Sequence, residues 1–161
     1  MRELPEITVQ IINGLRAAAI DPILYGSQGV SLYIGDFKEF GDIDLLVNQR
    51  WMTDDWEKLI EIMNQIGFKL YNLHGHDFVN SESVHASFAS NDILVRDNIV
   101  KSLKNATTNI EVGSTTITTL KPGVFKRAYE FSEQDGYRKN IRGKKDRTVI
   151  VLLNEYVNGS P

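Results

Sequence analysis

The chain has 161 residues and a mass of 18.2 kDa, the length of one ordinary domain. Its 42% hydrophobic and 24% charged residues are typical of a globular protein and argue against a disordered or fibrous chain. It has no cysteine, which excludes disulfides, thiolate metal sites and a cysteine nucleophile. The net charge of −3 gives no strong sign of duplex nucleic-acid binding, which usually requires a basic excess.

Two features of the sequence concern location. No apolar run approaches the roughly 18 residues that a membrane-spanning helix needs. The N-terminal sequence carries charges and a proline where a signal peptide would be apolar. We therefore expect no membrane segment and a cytoplasmic protein.

The predicted elements of the first half begin with a helix. Its apolar residues recur at a spacing of three to four, and Asp21-Pro22 ends it because proline disfavours helix in the preceding residue. A short strand over 23–25 runs into a turn at Gly26-Ser27, and a short helix is expected over 30–34. A second strand covers 42–47. Thr53 is the expected N-cap of a helix that Gly67 ends.

The second half is predicted to be richer in strands. Two or three antiparallel strands are expected over 68–90 and a hairpin over 110–120, whereas 92–103 is ambiguous between helix and strand. A helix from Pro122 to about 132 and another over 146–157 close the chain. The fold class is α/β (α+β), with a mixed, largely antiparallel sheet flanked by helices. We expect one domain over 1–161, with a helical C-terminal portion from about 122.

Two aspartates in the second strand suggest a metal site. Side chains at positions i and i+2 of a strand share a face, so Asp42 and Asp44 would stand side by side while Ile43 points into the core. Neighbouring carboxylates repel each other unless a positive charge lies between them. Magnesium is a suitable ion, because it binds one or two carboxylates together with water and substrate phosphates.

The Gly26-Ser27 pair at the end of the first strand suggests a phosphate site. Glycine allows a sharp turn that leaves backbone N–H groups facing an anion, and a helix that starts there adds its dipole. Each feature also has a structural explanation, since Gly-Ser is common in plain turns and Asp-x-Asp at solvated strand edges. Their combination between apolar strands favours nucleotidyl transfer.

The pattern Gly26-Ser27, a spacer, then Asp42-Ile43-Asp44 resembles the signature of the nucleotidyltransferase superfamily that includes DNA polymerase beta. The closest resemblance is to its small bacterial members with a minimal domain, among them antibiotic nucleotidyltransferases and antitoxins of two-protein toxin modules. The motif covers 23–47, and the order of elements fits to about Ala89. The resemblance implies that Gly26 and Ser27 contact nucleotide phosphates and that Asp42 and Asp44 bind the catalytic metal.

The sequence departs from this family at a third carboxylate, which usually lies on a later strand as a base or ligand. The matching strand, 84–89, contains no acid, and the nearby candidates are Asp77, Glu82 and His85. The antitoxins often carry an arginine just after Gly-Ser, whereas this chain has Gln28-Gly29. These departures leave open a degenerate, non-catalytic member of the family.

The expected function is metal-dependent transfer of a nucleoside monophosphate from a nucleoside triphosphate (NTP) to an unidentified hydroxyl acceptor, a small molecule or a protein, with one or two Mg²⁺ ions. The alternative is a catalytically degenerate protein that acts as an antitoxin-like or regulatory binding partner. A protein partner or a homodimer is compatible with either function. The basic run over 137–147 is interpreted equally well as a contact for the triphosphate and as a solvated loop.

Overall fold

A computed structural model describes residues 3–35, 41–134 and 136–159, and within these it describes the side chains outside 136–146. The described residues form six helices and seven strands. The helices are α1 Glu6–Ala17, α2 Gly26–Ile34, α3 Trp56–Ile66, α4 Ile93–Arg96, α5 Pro122–Gln134 and α6 Gly136–Gly159. The strands are β1 Ile23–Tyr25, β2 Ile43–Val47, β3 Lys69–Asn72, β4 Asp77–Val79, β5 His85–Ser90, β6 Thr107–Val112 and β7 Thr115–Leu120.

The strands form one sheet in the order β3-β4-β5-β2-β1-β7-β6. Four pairs are antiparallel (β1–β2, β3–β4, β4–β5 and β6–β7), and two are parallel (β1–β7 and β2–β5). The predicted mixed, largely antiparallel sheet is therefore confirmed. Strand β2 lies between its antiparallel neighbour β1 and its parallel neighbour β5, at the centre of the sheet.

The two faces of the sheet pack against different helices. One core contains buried residues of α1 and α3 and the β2 residues Ile43 and Leu45. The other contains buried residues of α4, α5 and α6 together with Leu46 of β2. Because side chains alternate along a strand, Asp44 lies on the same face as Leu46, and Ile43 points into the opposite core as predicted.

Helix α3 and the β6–β7 hairpin follow their sequence patterns. Helix α3 ends at Gly67, whose φ of 104° is left-handed, so the predicted glycine stop is confirmed. The hairpin turns at Gly113, with φ of 60°. The predicted N-cap of α3 is wrong, because Asp55 holds that position while the Thr53 hydroxyl donates to the Gln49 carbonyl and closes a preceding 3₁₀ turn.

Two other helices begin earlier than the sequence predicts. Helix α2 begins at Gly26 rather than at residue 30, because burial of Gln28 and Gly29 outweighs the turn preference of the Gly-Ser pair. Helix α6 begins at Gly136 rather than at residue 146 and includes Gly143. The ambiguous segment 92–103 contains the short helix α4.

Candidate active site

Gly26 and Asp44 are in direct contact where β1 ends. Tyr25 pairs with Asp44 in the antiparallel register of β1 and β2. Gly26 has a φ of +63°, and a Cβ placed on it would collide with Oδ2 of Asp44 and lie 3.1 Å from Cγ of Asp44. Only glycine fits here, because a side chain would meet both the left-handed backbone and the carboxylate. The structure thus brings together the predicted turn and the predicted strand acid.

The four predicted site residues line one cavity. Gly26, Ser27, Asp42 and Asp44 all border a cavity of about 590 Å³. Asp42 is exposed just before β2, whereas Asp44 is half-buried within it. The cavity volume lies within the range of small-molecule sites.

The N-terminal end of α2 is fixed from behind by a buried polar contact. Gln28 is 2% exposed, and its Oε1 accepts a hydrogen bond of 2.6 Å from the hydroxyl of Thr8, which is fully buried on α1. Gly29 packs so closely that an added Cβ would lie 2.7 Å from Cζ of Phe125 and 2.9 Å from the Leu24 carbonyl oxygen. These contacts hold the first turn of α2, and therefore Ser27, against the end of β1.

The opposite wall of the cavity is largely apolar and comes from residues after β5. Helices α4 and α5 and the loop directly after α4 supply it, with the residues Ile93, Asp97, Ile99, Ala128, Tyr129, Phe131 and Ser132. Phe131 is 43% exposed, so the aromatic edge of this wall is open to solvent. The cavity thus has a polar floor on the sheet and an apolar wall on the helices.

A row of polar side chains crosses the floor of the cavity. Asp44 pairs with Ser87 in the parallel register of β2 and β5, and Ser87 pairs with Asp77 in the antiparallel register of β5 and β4. Directly paired residues share a face, with Cβ atoms roughly 5 Å apart. The Ser87 hydroxyl donates to Oδ1 of Asp77 at 3.1 Å, and Nδ1 of His85 lies 2.9 Å from Oδ2 of the same carboxylate. We call Ser87, Asp77 and His85 the β5 network.

The charges around the cavity suit a cation. Within the described lining, the acidic side chains are those of Asp42, Asp44 and Asp97, and no basic side chain accompanies them. Oxygen donors are the ligands that Mg²⁺ prefers, so the residues fit this ion. Among the described residues, no group of three or more His, Asp or Glu side chains is placed to hold a metal. The protein's share of such a site would be the Asp42–Asp44 pair.

The remaining candidates from the sequence lie elsewhere. Glu82 is exposed in the turn before β5 and does not line the cavity. Most of the basic run 137–147 lies outside the described side chains. Its last residue, Arg147, forms an ion pair with Glu133 of α5.

Sequence reasoning missed two parts of the site. Ser87 is not the acid that the family pattern predicts on β5, and its alignment with Asp44 follows only once the two strands are paired. The wall residues of α4 and α5 are distant in sequence from the motif, and their local pattern is that of ordinary core residues. Nothing in the sequence alone indicates that these residues face the cavity.

Solved structures with the same fold are nucleotidyltransferases or similar to them. The lincosamide antibiotic adenylyltransferase LnuA, solved with lincomycin bound, superposes with a TM-score of 0.67 over 97% of this chain and 99% of its own, at 14% identity. An antigenic nucleotidyltransferase-like protein from Paracoccidioides brasiliensis gives a TM-score of 0.63 over 91% of this chain and 74% of its own, at 16% identity. The chain therefore has the nucleotidyltransferase fold, as its motif predicts.

A curated sequence relative defines the family more narrowly. The uncharacterized protein YnaI of Bacillus subtilis (strain 168) is 31% identical over 140 residues, which cover 86% of each chain. The chain belongs to the same protein family as YnaI. No family profile matches the sequence. Within the described part of the chain, no helix is both long and apolar enough to span a membrane.

Proposed function

We propose that this protein is a metal-dependent nucleotidyltransferase, which moves a nucleoside monophosphate from an NTP to a hydroxyl group and releases pyrophosphate. The observation that carries the proposal is the meeting of Gly26, Ser27, Asp42 and Asp44 in one cavity. A helix N-terminus for phosphate and a carboxylate pair for a cation are the parts that this reaction requires.

The N-terminal end of α2 is assigned to the phosphates of the NTP. Gly26 and Ser27 form the first turn of this nine-residue helix, where N–H groups and the helix dipole favour an anion. The Ser27 hydroxyl offers one more donor. The absence of a side chain on Gly26 lets Asp44 lie directly beside this turn. A cation bound by Asp44 would therefore lie next to phosphates bound at the turn.

Asp42 and Asp44 are assigned to one or two Mg²⁺ ions. When bound, the cation would neutralise charge on the triphosphate and on the departing pyrophosphate. Asp44 is held between β1 and β5 by the sheet register, which fixes its carboxylate before any ligand enters. Asp42 lies at the exposed mouth of the site and completes the pair.

The apolar wall formed by α4 and α5 is assigned to the acceptor. LnuA, an adenylyltransferase for lincosamide antibiotics, has the same fold over nearly its whole length. This likeness and the cavity volume favour a small hydroxylated acceptor with an apolar part over a protein acceptor.

The test of the proposal is calorimetric titration of Mg-ATP, and of the other triphosphates, into the wild-type protein and Asp44→Asn. We expect magnesium-dependent binding that Asp44→Asn weakens by about 100-fold, close to 3 kcal/mol. Asp54→Asn is the matched control, because Asp54 is exposed and does not line the cavity. Wild-type protein that binds no triphosphate in the presence of magnesium would refute the proposal.

A second candidate function is that of a catalytically degenerate, antitoxin-like or regulatory binding partner. The observation that favours it is the serine at position 87, in line with Asp44, where a third acid would complete the site. This candidate predicts nucleotide binding without pyrophosphate release, or no nucleotide binding together with stable co-purification of a protein partner. Measured release of pyrophosphate would rule it out.

We further propose that the chain acts in the cytoplasm as one domain. The absence of cysteine fits a reducing compartment. The solvent-exposed edge of the cavity at Phe131 also allows a protein partner or a second copy to complete the acceptor side. Size-exclusion chromatography of the purified protein, with and without Mg-ATP, tests the homodimer.

A further inference from the structure

Ser87 offers the cavity an oxygen whose proton is already engaged. It lines the cavity beside Asp44, and its hydroxyl donates to Oδ1 of Asp77 at 3.1 Å. A serine has one O–H donor and two lone pairs. Because the proton is directed at Asp77, the oxygen has lone pairs left for a ligand. Ser87 therefore suits a group that donates a hydrogen bond, such as an alcohol.

Both oxygens of Asp77 have a hydrogen-bonding partner. Oδ1 receives the Ser87 hydroxyl, and Oδ2 lies 2.9 Å from Nδ1 of His85. The side chains of Asp77 and His85 are only 16% and 28% exposed, and the His85 ring packs edge-on against Tyr71. An ionised carboxylate can only accept hydrogen bonds, so an ionised Asp77 requires the proton of this contact to lie on Nδ1 of His85. Asp77 is then a carboxylate one strand away from the cavity and joined to it through Ser87.

We propose that Ser87 accepts the hydrogen bond of the attacking hydroxyl and that Asp77, acting through Ser87, takes up its proton. This inference rests on the proposed nucleotidyl transfer. Ser87 is the catalytic residue, because it touches the acceptor, and Asp77 and His85 are positioning residues. Asp42 and Asp44 are unsuitable as proton acceptors if they hold the cation.

The transfer step balances with these groups. The acceptor oxygen forms a bond to the α-phosphorus, and the bond from that phosphorus to the pyrophosphate oxygen breaks. The acceptor's proton passes to Oγ of Ser87 while the Ser87 proton passes to Asp77. Asp77 then returns one proton to solvent, which reaches its partly exposed side chain.

Asp97 is the rival proton acceptor. It lines the cavity from the end of α4, across from the sheet. Unlike Ser87, it has no strand pairing with Asp44 that would place the acceptor hydroxyl beside the cation. The variants Asp77→Asn and Asp97→Asn are a matched pair, since each removes one carboxylate without a change in side-chain shape.

The kinetic test is pyrophosphate release from Mg-ATP with water as the acceptor, because water must also lose a proton. Loss of a general base usually costs about 10²–10⁴ in rate. We expect Asp77→Asn to slow release by about 100-fold and by more than Asp97→Asn does, with Mg-ATP affinity retained in Asp77→Asn. The control Asp54→Asn, outside the cavity, should stay within about threefold of the wild-type rate. An unchanged rate in Asp77→Asn, or a large loss only in Asp97→Asn, overturns the inference. Retained Mg-ATP binding leaves the proposed function standing in that case.

A swap of the two residues separates proton transfer from structural support. In Asp77→Ser combined with Ser87→Asp, the carboxylate moves onto β5 beside Asp44. We expect the swap to release pyrophosphate at least about tenfold faster than Asp77→Ser alone, because the base is present again. If the swap variant has the same melting temperature as Asp77→Ser and releases pyrophosphate no faster, proton transfer to the carboxylate is contradicted.

A readout without turnover comes from ¹⁵N NMR of His85 in the protein without nucleotide. The proposal requires an ionised Asp77 and therefore a protonated Nδ1 on His85, and we expect Asp77→Asn to change that nitrogen's chemical shift. If Nδ1 of His85 carries no proton at neutral pH in the wild type, Asp77 is the donor of this hydrogen bond. It is then already protonated and cannot act as a base, which overturns the inference.

Discussion

The two neighbours of strand β2 support Asp44 in different ways. On the β1 side, Gly26 packs against the carboxylate so closely that no other side chain fits. On the β5 side, Asp44 stands beside Ser87, which is bonded through Asp77 to His85. Close packing tolerates almost no substitution, whereas a hydrogen-bonded row keeps its shape when a member is replaced by a polar group of similar size. We therefore expect the β1 side to govern folding and nucleotide binding, and the β5 side to govern rate.

The largest effect is expected for Gly26→Ala. The new methyl group meets the carboxylate of Asp44 on a backbone with φ of +63°. The left-handed conformation and the overlap together should cost about 2–5 kcal/mol of folding free energy. The displaced carboxylate should also abolish Mg-ATP binding. Urea unfolding and calorimetry measure the two effects.

Gly41→Ala is the control for that prediction. Gly41 lines the same cavity, but no atom of the described residues lies within 4 Å of a Cβ placed on it. The folding free energy of Gly41→Ala should differ from that of the wild type by less than about 0.5 kcal/mol, the usual range for a surface substitution. Equal losses in both variants would show that close packing against Asp44 is not what makes Gly26 necessary.

Gly29→Ala should affect stability more than binding. Its added methyl group would overlap Phe125 and approach Oγ1 of Thr119 at 3.0 Å, on the side of α2 away from the cavity. Overpacking of this kind usually costs about 1–3 kcal/mol. Thermal unfolding measures this loss of stability. The Mg-ATP affinity of the variant should stay within about threefold of the wild-type value, a difference of less than about 1 kcal/mol. A selective loss of binding would contradict the supporting role given to Gly29.

Ser87→Ala should be milder in stability than either glycine variant. It removes one partly buried hydrogen bond to Asp77 while the contact of Asp77 with His85 remains. A net loss of about 1 kcal/mol is expected, with Mg-ATP affinity unchanged. Denaturant unfolding measures the stability and calorimetry measures the affinity. If Ser87→Ala weakened nucleotide binding as strongly as Gly26→Ala, the proposed difference between the β1 side and the β5 side would be contradicted.

The smallest effect is expected at Asp55, which does not line the cavity. A change there serves as a baseline for the variants next to β2. A hydrogen bond from Arg50 is the main cause that lowers the pKa of Asp55; burial opposes it and Lys58 adds to the lowering. A lowered carboxyl pKa stabilises the fold above the unfolded-state pKa, and this contribution is lost as the pH falls through the folded-state value. NMR titration should show a higher Asp55 pKa in Arg50→Met than in the wild type. Mg-ATP binding at neutral pH should not change.

The sequence predicted the strands that carry the candidate site well because their signals are local. Ile23–Tyr25 and Ile43–Val47 are apolar runs bounded by polar turns, and the i, i+2 rule places Asp44 opposite the core. The residues Gly26 and Ser27 were expected at a turn, and they begin a helix directly after β1. Their roles in nucleotide binding stay predictions that the variants above test.

The parts that sequence reasoning missed depend on tertiary contacts. The start of α2 at Gly26 depends on burial of Gln28 against Thr8 of α1, which no local propensity reports. Ser87 gains its place only when β5 pairs with β2 across about forty residues of sequence. The apolar wall comes from α4 and α5, whose pattern alone predicts ordinary core packing.

The most direct test of the central claim is to locate the metal–nucleotide complex with Mn-ATP as a paramagnetic probe. Amide signals in an ¹⁵N-labelled protein are broadened according to their distance from Mn²⁺. We expect the strongest broadening at Gly26, Ser27 and Asp44 in the wild type, none at the Gly113 turn at the far edge of the sheet, and loss of the effect in Asp44→Asn. Broadening that centres elsewhere, or that persists unchanged in Asp44→Asn, would contradict the assignment of this cavity as the nucleotidyl-transfer site.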